Sequence, residues 1–299
     1  MINVDSIKSI YLFILVIFVI SGIQLFVEEL TEIGLLGTQI LFWLCLFNII
    51  YVTSKNLITK SSFLPQSIKG QVYRFIVVGI GNICLFSSFE YISAASFSTL
   101  TRIDIPIIVL ITALSVKQSK RKIRLSVLIL AVVGLILYES QAVDEDFFGY
   151  MLVILGVFGN VINTLLKKKM STTESMEIII LVGSLSGLIW SSVWMNYKGI
   201  SVFEMKSIYI FEIIALSVMN LTLNYVLIHL FRRHSAEAVR FPYIIAAVLT
   251  MIMEMIIEQK FFSWILISTN LVLLSLIAIL LWKRKPKTIA ETIPISNDK

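Results

Sequence analysis

The chain has 299 residues, of which 58% are hydrophobic and 15% charged, with a formal net charge of +6. A soluble protein of this size carries about 25% charged residues, so a water-soluble globular body is excluded. The basic balance could suit a nucleic-acid surface, but the placement of the charges, taken up below, argues against that.

In chain order, the runs near 10–27, 33–53, 72–90, 96–116, 124–139, 147–166, 177–197, 208–231, 238–257 and 262–282 are mostly apolar. A membrane-spanning helix needs about 20 such residues. The expected fold class is an all-α polytopic membrane protein with ten transmembrane helices. The first run lacks a small-residue cleavage site and continues into "VEELTE", so it reads as a retained span rather than a removed leader. Cys45 and Cys84 fall inside spans without metal or redox spacing and read as small apolar fillers.

With the N-terminus inside, the inner segments 1–9, 54–74, 117–124, 167–176, 232–237 and 283–299 hold 20 of the 25 Lys and Arg residues. The outer segments hold Lys198, Lys206 and Lys260, and carry the acidic stretches "EELTE" and "ESQAVDEDF". That asymmetry is the positive-inside pattern. It predicts a multi-pass protein of the cell (inner) membrane with both termini cytoplasmic. Its partners are then membrane lipids and a small-molecule substrate, not nucleic acid, in a monomer or a homodimer.

The ten runs fall into two fives. Residues 1–141 form the first five-helix repeat, 142–282 the second, and 283–299 a polar cytoplasmic tail. An odd number of spans per repeat starts the second copy on the opposite face, so the two are expected to be inverted. Inverted repeats are a common transporter architecture with the substrate site near the midplane.

The stretch "FEYISAASFSTLTRIDIPIIVLITALSVKQSKRKIRLSVLILAVVGLILY", residues 89–138, carries an aromatic, Ser/Ala-rich residues and then a Pro within the span. A polar loop and a Gly-containing fifth span follow. "FRRHSAEAVRFPYIIAAVLTMIMEMIIEQKFFSW" at 231–264 repeats this more faintly, with Glu258 after the span, and "LGVFGNVINTLLKKKMS" at 155–171 forms a sixth span with a basic exit. In these features the chain resembles the EamA-like branch of the drug/metabolite transporter superfamily. The resemblance implies a ten-helix transporter whose spans four and nine border a central cavity. It does not extend to a Trp-Gly in the first span, where "VISGIQLF" stands, nor to a Glu-Arg after span four, where "SVKQSKRK" stands. It therefore implies the fold and not the substrate.

The chain contains no phosphate-binding G-x-x-x-x-G-K-[ST] loop, and its two histidines, His229 and His234, lack metal-ligand spacing. No nucleophile–base set is apparent. The expectation is a non-enzyme without cofactor or metal.

Candidate binding residues are the polar ones inside spans. Arg102 and Asp104 lie in "TRIDIP"; two residues apart on a helix, they point about 200° apart and do not pair with each other. Charges at that depth face a partner, a cavity or substrate. Glu254 in span nine is the expected partner of Arg102. Pro106 and Pro242 each remove a backbone donor, and Tyr243 adjoins the second. Asn160, Asn163, Asn220 and Asn224 could bind a polar ligand or join helices. Gln39 and Trp43 share a face of span two, where Trp43 could stack on a ring or cation. Arg240 is expected to snorkel to the inner surface, and Arg232 and Arg233 to set topology. The function expected is secondary transport, in the export direction, of a small polar or zwitterionic metabolite such as an amino acid or amine. Alternating access would carry it, with proton coupling open. A lipid or lipid-linked carrier flippase and a non-transporting membrane scaffold are the alternatives.

Overall fold

A computed structural model describes residues 4–105, 107, 108, 111, 146–201 and 209–257. Spans five and ten, Pro106, Glu258, most of the acidic linker and the basic tail lie outside the described residues. Within them the chain forms eight helices and no strand. These are α1 (Val4–Glu32), α2 (Gly37–Thr59), α3 (Ile68–Ser88), α4 (Ala94–Thr101), α5 (Phe147–Met170), α6 (Met176–Lys198), α7 (Ile210–Arg233) and α8 (Ala236–Ile257). Seven of them, all but α4, are long and apolar enough to cross a membrane.

Local chemistry sets several ends. The Ser93 and Ser175 hydroxyls accept the Ser96 and Ile178 N–H groups, and Asp146 accepts the Phe148 N–H. Each satisfies a donor that the first turn of a helix leaves open. Gly199 closes α6 in the left-handed conformation, φ 68°, which a residue without Cβ adopts at no steric cost.

The distribution of polarity is that of a membrane protein. Phe18, Phe158, Val193 and Phe211 are exposed, while Arg74, Asp104 and Arg240 are buried. Water would favour the reverse; lipid favours apolar side chains outside and pairs the charges within. The chain is a multi-pass helical membrane protein.

α3 runs along α5 and α6, α1 along α7 and α8, and α2 along α6 and α7, while α4 lies against α5 and α8. α2 also meets α3, α6 meets α7, α1 meets α4 and α5 meets α8. α3 and α5 approach closely, so that a Cβ on Gly159 would stand 2.8 Å from Gly81 Cα. Polar side chains stitch α1 to α8: Ser21 Oγ donates to the Ala246 carbonyl at 3.0 Å, and Thr250 Oγ1 to Gln24 Oε1 at 3.1 Å.

One end of the bundle carries the connections 59–68, 170–176 and 233–236. There Glu174 accepts the Gln66 and Ser67 N–H groups at 3.1 and 2.8 Å, and Arg232 donates to the carbonyls of Ser171 and Glu174 at 2.8 and 3.2 Å. Arg232 thus joins two turns besides adding charge. In the third connection His234 stacks near Phe13, ring centroids 5.4 Å apart, with its Nε2 3.2 Å from Ser9 Oγ. Burial, then Lys168, Arg233 and His229, hold its imidazole below the usual histidine range. A lowered folded-state pKa means that the unfolded chain takes up the proton first. The contribution is complete above the unfolded value and is lost as pH falls below about 6.5. Melting curves from pH 8 to 5 should show the wild type losing more stability on acidification than His234→Gln; parallel curves would refute this.

Candidate functional site

The first half-span opposite α8 is not a continuous helix. α4 ends at Thr101, residues 102 and 103 form a turn, and helical backbone resumes at Asp104. Pro106 has no N–H to give the Arg102 carbonyl four residues before it. The Ile105 N–H donates there instead, at 3.1 Å, and Arg102 and Ile103 donate to Thr99 and Leu100 in the same tight pattern. Irregular backbone at membrane depth is tolerated where protein or a wet cavity surrounds it.

The break carries the two charges of "TRIDIP". Asp104 is fully buried, and its Oδ2 lies 3.2 Å from Arg240 Nη1. Asn160 spans the pair, its Oδ1 accepting from Arg240 Nη2 at 2.9 Å and its Nδ2 donating to Asp104 Oδ2 at 3.5 Å. Arg240 also donates to Thr164 Oγ1. Arg102, buried too, donates to Ser98 Oγ at 3.1 Å. Both guanidinium groups stand over the Tyr243 ring, 5.2 Å for Arg102 and 4.5 Å for Arg240, within cation–π range. An ion pair this deep is net favourable only when hydrogen bonds complete its shell; Asn160 and Thr164 supply part of it, and Asp104 Oδ1 and Arg240 Nε have no hydrogen-bond partner among the described residues.

A second polar group continues along α5, because Asn160, Asn163, Thr164 and Lys167 recur at helical spacing on one face. Asn163 Oδ1 accepts from Arg74 Nε at 3.0 Å, and Arg74 Nη1 donates to the Ile179 carbonyl at 2.7 Å and to Gln71 Oε1 at 3.4 Å. Lys167 Nζ donates to Asn224 Oδ1 at 3.0 Å; Asn224 in turn donates to Asn220 Oδ1 at 2.7 Å, and Asn48 reaches the same oxygen at 3.4 Å. Toward the same end, Lys55 pairs with Glu177 at 2.7 Å and lies 4.7 Å over the Tyr225 ring.

The structure therefore brings together Arg102, Asp104, Asn160 and Tyr243, and places Asn163, Asn220 and Asn224 in the adjoining network. Three expectations are corrected. Arg240 does not snorkel; it is 5% exposed and holds Asp104. Arg102 does not meet Glu254: it sits at the level of Tyr243, and Glu254 is eleven residues further along α8, about 16 Å at 1.5 Å per residue. Gln39 belongs to the start of α2, where its Oε1 accepts the Leu36 N–H at 3.0 Å and its Nε2 donates to the Ser201 carbonyl at 2.9 Å. Trp43, partly buried, packs edge-on to Phe42, centroids 5.6 Å apart, and against the apolar core.

Arg74 and Lys167 are the residues that sequence reasoning passed over as inner-loop charges. The signal for Lys167 was present in the α5 stripe. That for Arg74 was its place in an apolar run, two turns beyond the polar loop.

No protein-family model matches the chain, and no curated protein resembles it at a significant level. A solved crystal structure of a protein is similar in fold, with a TM-score of 0.67 and 15% identity, over 92% of this chain and 97% of that chain. At that identity the likeness is one of fold alone.

Proposed function

We propose that the chain is a secondary transporter of a small polar or zwitterionic organic metabolite, working by alternating access between two inverted repeats. The observation that carries this reading is the buried ionic cluster at a broken helix, Asp104–Arg240 with Arg102 over Tyr243, where α4 faces α8. Broken helices with charged side chains at depth are the usual substrate-binding elements of such folds.

The neighbour relations support the repeat. Exchange α1, α2, α3 and α4 for α5, α6, α7 and α8. Then α3 on α5 becomes α7 on α1, α1 on α8 becomes α5 on α4, and α3 on α6 becomes α7 on α2. The pairs α2–α6 and α4–α8 map onto themselves. In this reading the ionic cluster lies on the axis that relates the repeats, where two rocking halves would meet. In the proposed orientation both termini are cytoplasmic, and the end with the connections 59–68, 170–176 and 233–236 faces the cytoplasm. Membership of the drug/metabolite transporter superfamily and export as the direction belong to this proposal.

The test is thermal stability of the purified chain against a metabolite library, with Arg102→Gln alongside. A ligand at 100 times its Kd should add about 2.7 kcal/mol. A hit that vanishes in the variant, and that moves across proteoliposomes bearing the wild type, supports transport. A cysteine at Asn224 should react with a small hydrophilic thiol reagent. Ser98 and Thr101 are too buried to serve as probes. An inert cysteine and no hit would favour a dry scaffold.

A further inference from the structure

Among the described residues, two buried cations of the polar interior have no carboxylate beside them. Arg74 is 1% exposed, and its guanidinium is fixed by neutral acceptors only: Asn163, Gln71 and the Ile179 carbonyl. Lys167 lies within electrostatic reach of both Arg74 and Arg240. Asp104 is committed to Arg240, and Glu177 to Lys55. Among the described residues no carboxylate comes within ion-pair distance of Arg74 or Lys167. Among the described residues, two cations from α3 and α5 therefore stand without a carboxylate partner, near a third on α8. A charge out of water without an opposite partner is strongly unfavourable, and a bound anion would supply that partner.

The surrounding groups suit one. Lys167, Asn160, Asn220 and Asn224 keep accessible surface while bonded to one another or to neighbours across α2, α5, α7 and α8. All four are partly rather than fully buried. An ammonium has three donors, and Lys167 uses one on Asn224, which leaves two. Arg74 is held on three sides and acts as a fixed charge, with nothing to reorganise when a ligand arrives.

We propose that this cluster receives its ligand by an acidic group, a carboxylate or a phosphate, seated on the Lys167 ammonium between the fixed charges of Arg74 and Arg240. Asn220 and Asn224 offer hydrogen bonds to the rest of the molecule. The claim that this ligand is the transported species rests on the transport reading above; the anion site does not.

The experiment uses the purified full chain in detergent at constant ionic strength. Thermal unfolding is followed against succinate, inorganic phosphate, neutral succinamide and dicationic putrescine. Succinate or phosphate should raise the melting temperature saturably, and succinamide and putrescine should not. The stronger of the two anions assigns the acidic group. Lys167→Met should melt higher than wild type without ligand, since it deletes an uncompensated charge, and should bind the anion at least tenfold more weakly. Lys167→Arg should bind within a few fold of wild type. No saturable shift with either anion, an equal shift with putrescine, or unchanged anion binding in Lys167→Met would each overturn the proposal. Labelled-anion flux in proteoliposomes separates the two readings. Anion binding without flux leaves the site standing and removes transport; flux of a cation without anion binding does the opposite.

Discussion

Asp104→Asn is expected to destabilise the bundle by about 3–5 kcal/mol, because removing one partner of a buried pair strands the other charge. Arg240 would keep Asn160 and Thr164 as acceptors, but neither carries the charge that Asp104 supplies 3.2 Å away. Adding Arg240→Met should restore more than half of the loss, since an apolar replacement of the whole pair is often close to neutral. Melting the wild type, both single variants and the double variant in one detergent completes the cycle and isolates the coupling. An Asp104→Asn change under about 1 kcal/mol would mean that the carboxyl is not paired as a charge. Flux should vanish in the single variants; whether the double variant recovers flux with stability separates a structural pair from a working one.

The second large effect lies at the α3–α5 seam. A valine at Gly159 would place its Cβ 2.8 Å from Gly81 Cα and 3.2 Å from the Val77 carbonyl oxygen. Both are backbone atoms, so no rotamer change relieves the contact. Overpacking costs about 1–3 kcal/mol where side chains can shift, and occasionally more, and Gly159→Val should fall at the top of that range. The same displacement pulls Asn163, one turn further on α5, away from Arg74. Loss of stability in Gly159→Val with little change in Gly34→Val's packing partners makes a useful contrast, because a Cβ at Gly34 meets nothing within 4 Å; the strain there comes from its φ of 100° alone. A Gly159→Val protein as stable as wild type would show that α3 and α5 tolerate separation.

What the sequence made legible follows from physical cost. Charges in "TRIDIP" are expensive in a span, so Arg102 and Asp104 stand out against their apolar neighbours, and two residues of helical rotation already separate them. Their partners were harder to identify. Arg240, Arg74 and Lys167 all lie within about two turns of a helix end, where a basic residue reaches the headgroups as readily as it turns inward. Residue counts cannot choose between those directions; packing against Asn160, Asn163 and Ile179 does. Glu254 was misjudged for a related reason. Span-to-span analogy gives the neighbouring helix but not the level along it, and the rise of α8 carries Glu254 far past Arg102. Gln39 shows the commonest ambiguity, since a carboxamide near a helix start serves the backbone as well as it would serve a ligand. The Gln39 side chain closes α2.

The knot formed by Glu174 and Arg232 also limits how the molecule can breathe. One carboxylate holds the backbone leading into α3, and one guanidinium holds the carbonyls of the turn on which that carboxylate sits. Three connections are thereby yoked into a single collar. These connections join α2 to α3, α5 to α6 and α7 to α8, so the collar ties three helix pairs together at this rim. At the same rim Lys55 fastens α2 to Glu177 on α6 and Tyr225 on α7. In the proposed transport cycle, a passage at this rim would open by parting that latch, with the collar left whole.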